Sequence, residues 1–225
     1  MQHQLEVMAS ADLVARAAAG YVQRQAAAAV AEHGQFTFAV SGGRTPWAMF
    51  AELARMEMPW GQVTLYQVDE RAAPDGDPDR NLTHLHDSLG DIKASVVAMP
   101  VTAPDLDAAA AGYAALLPGR FDLVHLGLGP DGHTASLVPG DPVLEVTDRL
   151  VAVTGPYQGH RRMTLTYPAL ARGAQIMWLV TGADKAEPLA KLLAGDRSIP
   201  AGRVEAEASF VIADTAAAPP TAETA

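Results

Sequence analysis

A histidine follows an aspartate by two positions in the glycine-rich segment 127–134, whose sequence is GLGPDGHT. Histidine titrates near neutral pH and can take a proton from water, and a neighbouring carboxylate can orient the ring. A single histidine is more often structural than catalytic, but its place after an aspartate in a glycine-rich loop favours chemistry. We therefore take His133 as a candidate general base and Asp131 as its candidate partner.

The same segment matches the Gly-x-Gly-x-x-Gly pattern of dinucleotide-binding folds through Gly127, Gly129 and Gly132. That pattern requires a long helix directly after the glycines and an acidic residue about 20 positions further on. Here Asp131 puts a negative charge inside the loop, and the prolines that follow end any helix early. We therefore predict no dinucleotide site, and we keep Gly129 as a candidate substrate contact.

A second glycine-rich segment, Ser41-Gly42-Gly43-Arg44-Thr45, lies between an apolar run and a helical pattern. Glycines let the backbone approach a ligand closely, and a helix N-terminus offers unpaired N–H groups. Ser41 and Thr45 add hydroxyls, and Arg44 adds a positive charge. No Gly-Lys-Ser/Thr follows, so the segment is not a Walker A loop. We predict that it binds a phosphate or a polyhydroxylated sugar, the alternative being a tight turn with a helix cap.

The segment Asp69-Glu70-Arg71 follows another apolar run. An acid beside a base is often only a solvated loop. If this loop faces the same crevice as the two glycine-rich segments, Asp69 and Arg71 become candidate catalytic residues.

Further cations are candidates for holding a phosphate. Arg161 and Arg162 precede a predicted strand, and a guanidinium can grip a phosphate through two parallel hydrogen bonds. Adjacent strand residues point to opposite faces, so at most one of the two is expected to face the site. Lys185 stands at the start of a predicted helix, where the alternative is a solvated surface lysine.

The remaining histidines predict no metal site. His84 and His86 are two positions apart on a predicted helix, so their side chains point in different directions. His125 lies within a buried predicted strand, where a hydrogen-bonded core residue is expected.

The elements that must position these residues alternate between strands and helices, which predicts an α/β fold with three αβα layers. The sheet is expected to be mostly parallel and Rossmann-like, with helices on both faces. Ligands bind beyond the carboxyl ends of such strands, where the loops after Val40, Val68 and Leu128 lie. The predicted strands are 36–40, 63–68, 96–98, 121–128, 163–166, 176–180 and 210–212, and the predicted helices are 10–33, 47–55, one from about 81, 105–117 and 183–193. Residues 1–215 are expected to form one domain, and residues 216–225 a frayed tail.

Composition narrows the possible functions. The 225 residues carry a net charge of −10, which argues against nucleic acid as a partner. No apolar stretch reaches the 18 residues that a membrane span needs, and the N-terminus lacks a signal-peptide pattern. The absence of cysteine excludes disulfides, thiolate nucleophiles and Cys-based metal sites, and it fits a cytoplasmic location. We expect a monomer or a homodimer.

Taken together, these segments resemble the 6-phosphogluconolactonase family, within a wider group that includes glucosamine-6-phosphate deaminase. The matching segments are 41–46, 69–71, 127–139 and 162–166, together with Gly182 and Lys185. Deaminases are similar up to His133 but carry a catalytic glutamate a few residues later, where this chain has Val138. Arg44 replaces a serine common in the family, and Arg80-Asn81-Leu82 stands where Ser-Asn-Tyr is often seen. The resemblance implies a Rossmann-like fold, no required metal or organic cofactor, and a role in the oxidative pentose phosphate pathway.

The resulting hypothesis is hydrolysis of a phosphosugar lactone. His133 would activate a water molecule, and Asp131 or Asp69 would hold the imidazole or the sugar hydroxyls. Arg71 and loop N–H groups would stabilise the oxyanion. The phosphate would be held by segment 41–45, Lys185 and one of Arg161 and Arg162. The alternatives are an aldose–ketose phosphosugar isomerase or deaminase, with Asp69 as its base, and a non-catalytic phosphosugar sensor.

Overall fold

A computed structural model describes residues 2–218, which contain ten strands and six α-helices. The strands are β1 (His3–Met8), β2 (Phe36–Val40), β3 (Val63–Gln67), β4 (Asp69–Arg71), β5 (Ser95–Val97), β6 (Leu123–Gly127), β7 (Val151–Val153), β8 (Arg162–Leu165), β9 (Gln175–Val180) and β10 (Ala208–Asp214). The helices are α1 (Ala11–His33), α2 (Arg44–Leu53), α3 (Asn81–Leu89), α4 (Leu106–Leu116), α5 (Tyr167–Leu170) and α6 (Ala186–Leu193). No helix in this part of the chain is long and apolar enough to cross a membrane.

Seven strands form a parallel sheet in the order β1-β10-β9-β6-β2-β3-β5, which confirms the predicted α/β class. From β2 the chain adds β3 and β5 outward on one side, and from β6 it adds β9 and β10 outward on the other side, where β1 forms the edge. The loops that leave the carboxyl ends of these two central strands therefore diverge and open a crevice. The Ser41 and Gly129 segments are those two loops.

Both faces of this sheet are buried, as a parallel sheet requires. Phe36, Phe38 and Val40 of β2 pack on one face with helices α1, α2 and α3, whereas Ala39 contacts the core on the other face. Val124 of β6 and Trp178 of β9 face the same core as Ala39, while Leu123 of β6 faces the core that contains α1, α2 and α3. The alternation gives two apolar layers, and the central strands are held rigidly between them.

A second sheet is small and antiparallel, in the order β4-β8-β7. Here two expectations were wrong: the segment 69–71 is a strand rather than a loop, and the strand at 163–166 does not join the main sheet. The reason is a pairing between distant parts of the chain, Asp69 with Thr164 and Arg71 with Arg162. Because this pairing joins segments more than 90 residues apart in number, local sequence patterns do not reveal it.

The ends of the elements follow their capping residues. The Ser10 side chain accepts the Leu13 N–H at the start of α1, and Gly34 ends the helix with φ of 84°, as predicted. Helix α2 starts at Arg44, three residues earlier than expected. Strands β1 and β7 were missed, since one is an exposed edge strand and the other has three residues.

The predicted tail begins within the described residues and extends past them. Ala217 is buried, and its N–H donates to Asp214. Residues 219–225 lie outside the part of the chain that the structure describes.

Candidate active site

A cleft of about 190 Å³ opens where the loops after β2 and β6 diverge, and the small sheet forms one of its walls. It gathers most of the residues that the sequence singled out. The lining residues are Ser41, Gly42, Gly43, Asp69, Arg71, Asn81, Gly127, Leu128, Gly129, Pro130, His133, Ala135, Arg162 and Lys185.

His133 and Asp131 form a tight pair at one side of this cleft. The Nδ1 atom of His133 lies 2.5 Å from Oδ1 of Asp131, and the His133 backbone N–H donates to the same oxygen at 3.1 Å. A carboxylate can only accept, so the proton of the neutral ring sits on Nδ1 and the lone pair on Nε2. Within residues 2–218 no group binds Nε2, which leaves this atom available to take a proton from a ligand or water.

The charge state of Asp131 suits this arrangement. Partial burial raises the pKa of Asp131, but the backbone N–H, the charge and the ring of His133 together outweigh it and leave the pKa below its ordinary value. The carboxylate therefore remains ionised at neutral pH and holds the imidazole in one tautomer. The Tyr157 ring packs edge-on against His133 and limits its rotation.

Two glycines shape the loop that carries His133. A Cβ on Gly129 would lie 2.1 Å from Nδ1 of His133, and Gly132 has φ of +81° with its Cβ position 2.6 Å from Ile199. The Gly129 N–H donates to the His133 carbonyl at 2.8 Å. Gly129 therefore gives the ring its space, and its N–H is used inside the loop instead of facing a ligand.

Asp69 is the second carboxylate in the cleft, but it does not contact His133. Its Oδ2 accepts the Ser136 hydroxyl at 2.6 Å, and its Oδ1 accepts from the Asn81 side chain at 3.3 Å. Of the two candidates from sequence, Asp131 is thus the one that orients the imidazole. Ser136 is fully buried and donates to Asp69, so it is not placed as a nucleophile.

Arg71 is held at the cleft by Asn81, which was not among the sequence-predicted site residues. One Arg71 nitrogen donates to the Asn81 side-chain oxygen at 2.6 Å and to the Asp79 carbonyl at 2.9 Å. The Asn81 amide in turn donates to the Asp69 carbonyl at 3.1 Å. The signal for Asn81 was present in the sequence, since it is the asparagine shared with the Ser-Asn-Tyr segment of the family that the chain resembles.

Behind Arg71, a buried carboxylate joins β4 to α3. Glu70 is fully buried and accepts the backbone N–H groups of Asn81 and Leu82, each at 2.8 Å. Arg80, itself buried, lies with its Nε 3.2 Å from Glu70. Glu70 therefore fixes the start of α3, and with it the position of Asn81.

The loop after β2 presents unpaired backbone donors. The Ser41 N–H donates to Nδ1 of His125 at 3.2 Å, while the N–H groups of Gly42 and Gly43 have no acceptor among the described residues. These two donors lie at the N-terminus of α2, where the helix dipole favours an anion. As expected, His125 is a hydrogen-bonded core residue, and burial lowers its pKa to about 3, so the ring is neutral.

Two cations reach the cleft beside these donors. Lys185 is a lining residue, and its Nζ lies 2.9 Å from Oδ2 of Asp184. Arg162 is 4% exposed, and its Nε has no hydrogen-bond partner within the described chain. Burial lowers the pKa of Arg162, but the guanidinium stays protonated at neutral pH.

Asp131 does not itself line the cleft but contacts the lining residue His133, and three further sequence-predicted residues lie outside the cleft. Arg161 is exposed, so Arg162 is the member of the pair that faces the site. The Thr45 hydroxyl hydrogen-bonds with that of Thr181 at 2.7 Å. Arg44 is exposed and lines two neighbouring clefts.

The described residues contain no cluster of three or more His, Asp or Glu side chains arranged to hold a metal ion. His84 instead hydrogen-bonds to the Pro78 carbonyl at 2.8 Å and stacks on Trp47. His86 is exposed.

An oriented imidazole, a nearby arginine and a helix N-terminus with unpaired N–H groups at one crevice are the features of an α/β enzyme suited to acid–base chemistry on a small anionic substrate. The chain belongs to the family described as glucosamine-6-phosphate isomerases/6-phosphogluconolactonase, whose model matches residues 9–212. It is 37% identical over 219 residues to a 6-phosphogluconolactonase from Caulobacter vibrioides, covering 86% of this chain and 94% of the relative. It is 35% identical over 209 residues to one from Synechocystis sp., covering 86% of each chain. A solved 6-phosphogluconolactonase from Thermotoga maritima shares 26% identity and a TM-score of 0.84, covering 95% of this chain and 99% of that one.

Proposed function

We propose that this enzyme hydrolyses 6-phospho-D-glucono-1,5-lactone to 6-phospho-D-gluconate, in the oxidative pentose phosphate pathway. The observation that carries the proposal is the His133–Asp131 pair, whose free Nε2 shares a cleft with the unpaired Gly42 and Gly43 donors. The 6-phosphogluconolactonases that are more than a third identical to this chain support the same reaction.

In the first step, Nε2 of His133 takes a proton from a water molecule as its oxygen bonds to the lactone carbonyl carbon. The carbonyl electrons move onto the oxygen, and this oxyanion is stabilised by Arg71, which Asn81 holds in place. The intermediate then collapses, the bond from the carbonyl carbon to the ring oxygen breaks, and the proton on His133 passes to that oxygen. Asp131 stabilises the charged imidazole between the two transfers.

The phosphate of the substrate is assigned to the opposite side of the cleft. The N–H groups of Gly42 and Gly43 donate to it, and Lys185 and Arg162 supply opposite charge. These four donors hold the sugar at a fixed distance from His133. The carbonyl carbon is thereby positioned for attack inside the enzyme–substrate complex, which lowers the entropic cost of the reaction.

The rate enhancement expected from these groups is sufficient for lactone hydrolysis without a metal or a covalent nucleophile. A general base contributes about 10²–10⁴-fold, and one oxyanion donor about 10²–10³-fold. A lactone is an activated ester that already reacts with water, so these two factors account for fast turnover.

A second candidate is a phosphosugar isomerase or deaminase, because Asp69 offers a buried carboxylate in the same cleft. That chemistry requires a carboxylate base beside C2 of the sugar. Against it, the position of the deaminase glutamate is taken by Val138, which is buried and apolar. Ammonia released from glucosamine 6-phosphate as fast as the lactone is hydrolysed would favour this candidate over the lactonase.

The direct test is a pH-indicator assay on freshly generated 6-phosphogluconolactone. His133→Ala is expected to lower kcat by about 10²–10⁴-fold with little change in KM, since His133 acts mainly on the transition state. The matched control is His86→Ala, which removes an exposed histidine and should leave the rate unchanged. Equal rates of acid release by the unaltered enzyme and by His133→Ala would refute the role of His133 as general base.

The monomeric or dimeric state, the cytoplasmic location and the single domain over 1–215 stay predictions from the sequence.

A further inference from the structure

A second cleft of about 400 Å³ adjoins the active-site cleft and shares three lining residues with it, Gly43, Arg71 and Arg162. His133 and Gly129 line only the first cleft, whereas Gly43 and Arg162 of the proposed phosphate side, together with Arg71, line both. Its lining residues are Gly43, Arg44, Trp47, Arg71, Pro78, Asp79, His84, Gln158, His160 and Arg162.

The charge of this second cleft is opposite to that of the molecule. The chain carries −10, yet three arginines line the cleft against one carboxylate, that of Asp79. That carboxylate is already occupied, since its Oδ2 lies 2.9 Å from Nε2 of His160. Over residues 2–218, no carboxylate oxygen lies within 4.0 Å of a guanidinium nitrogen of Arg44, Arg71 or Arg162.

The neutral contacts of these arginines leave donors unused. Arg71 donates to an amide oxygen and a backbone carbonyl, and Arg162 donates to the Gln158 side chain at 3.2 Å. Arg162 is more than nine-tenths buried and its Nε has no partner in the described structure. Apart from Gln158, this guanidinium contacts the Tyr157 ring, whose centroid lies 5.0 Å from Cζ. A buried guanidinium without a carboxylate partner is costly, so its place at the junction of two clefts points to an anionic ligand.

We propose that the second cleft is a subsite for the terminal phosphate of a diphosphate group, whose first phosphate occupies the Gly42–Gly43 subsite. The proposal rests on the phosphate subsite of the proposed function. Two linked phosphates match two cationic subsites that meet at Arg162 and Gly43. Ligands with a diphosphate group are therefore expected to compete with the phosphosugar lactone.

The test measures dissociation constants of orthophosphate and pyrophosphate by calorimetry at 0.15 M ionic strength, where distant surface charges are screened. Pyrophosphate is expected to bind at least about tenfold more tightly than orthophosphate, because the second phosphate gains charge-assisted hydrogen bonds. Arg44→Ser should reduce this advantage to less than about threefold, and Arg44→Lys should retain most of it. The matched control is Arg55→Ser, which removes an exposed arginine just after the same helix.

Equal binding of the two ions, or an advantage that survives in Arg44→Ser, would overturn the second subsite. Failure of orthophosphate itself to bind would contradict the Gly42–Gly43 subsite, and thereby the proposed function as well. A third ligand, ADP, separates the possible sources of the diphosphate. Tighter binding of ADP than of pyrophosphate would assign the subsite to nucleotides, and equal or weaker binding to a free or sugar-linked diphosphate.

Discussion

At the scale of single residues, the reactivity of His133 depends on which ring nitrogen carries the proton. Asp131 accepts from Nδ1 at 2.5 Å, and that contact leaves the Nε2 lone pair directed away from the loop. Asp131 reaches Nδ1 from two positions earlier because the loop closes tightly at Gly129 and Gly132. A Cβ at either glycine would collide with His133 or Ile199. The base is therefore defined by three residue types and their spacing.

We expect Asp131→Asn to lower kcat by about 10²–10⁴-fold with KM nearly unchanged, because the amide neither fixes the Nδ1 proton nor stabilises the imidazolium. Steady-state lactone hydrolysis checks this. Asp148→Asn, which alters an exposed carboxylate, serves as the control. A kcat for Asp131→Asn equal to that of the control would show that Asp131 does not act on the base.

His125 makes a separate prediction about stability. Burial lowers its pKa to about 3 in the folded chain, while in the unfolded chain histidine titrates near 6.5. Between these values the unfolded state binds more protons, so the stabilising contribution is full above about pH 6.5 and declines as the pH falls. The slope reaches up to about 1.4 kcal/mol per pH unit.

Urea unfolding at pH 7 and pH 5 tests this. The loss of unfolding free energy between the two pH values is expected to be smaller in His125→Asn than in the unaltered chain. His86→Asn, which changes an exposed histidine, should not alter the loss. The same pH dependence in all three proteins would contradict a neutral His125.

At the scale of elements, the cleft is assembled from strand ends that the sequence predicts and from one sheet that it does not. Continuous apolar runs locate β2 and β6, and the glycine-rich loops after them follow from local composition. The small sheet escapes this reasoning because β4 and β8 are short and pair across the chain. That pairing, which no local signal announces, places Asp69, Arg71 and Arg162 on one wall.

Single-residue orientation was likewise predictable only in part. The alternation of strand side chains limited the site to one of Arg161 and Arg162, and the structure selects Arg162. Thr45 was expected at the ligand because its hydroxyl is in the loop, yet α2 begins at Arg44 and turns Thr45 toward Thr181. An error of three residues in a helix start is enough to misplace a side chain.

The contact between Glu70 of β4 and Arg80, just before α3, leads to a prediction about stability. Glu70 and Arg80 are both buried and paired, so Glu70→Gln removes the buried carboxylate that pairs with Arg80 and leaves it, among the described residues, only the exposed carboxylate of Asp75. We expect the free energy of unfolding to fall by about 3–5 kcal/mol. The control Glu52→Gln removes a partly exposed carboxylate that pairs, within residues 2–218, only with the exposed Arg16 and Arg55, and it should cost less than about 1 kcal/mol. Urea denaturation compares the two, and equal losses would mean that the contact between Glu70 and Arg80 is not stabilising.

At the scale of the whole molecule, an acidic chain concentrates its few site cations at one crevice of the sheet. The Gly42 and Gly43 donors, Lys185 and Arg162 all lie there, while the surface charge is predominantly negative. A phosphorylated ligand is therefore recognised against a repulsive background, and nearly all of its binding energy must come from this one crevice. Binding at the crevice also joins the two halves of the sheet, because its donors come from the loop after β2 and from the segment after β9.

This arrangement predicts that the phosphate, more than the sugar, links ligand binding to global stability. At about 100 times its dissociation constant, 6-phospho-D-gluconate should stabilise the fold by about 2.7 kcal/mol, or raise Tm by about 5–10 °C. The same concentration of D-gluconate should change Tm by less than about 1 °C, because it cannot engage Lys185 or the glycine donors. Lys185→Ala should lose much of the shift, whereas Lys93→Ala, at an exposed position, should keep it. Differential scanning fluorimetry makes the comparison, and equal shifts from the two ligands would show that the crevice recognises the sugar and not its phosphate.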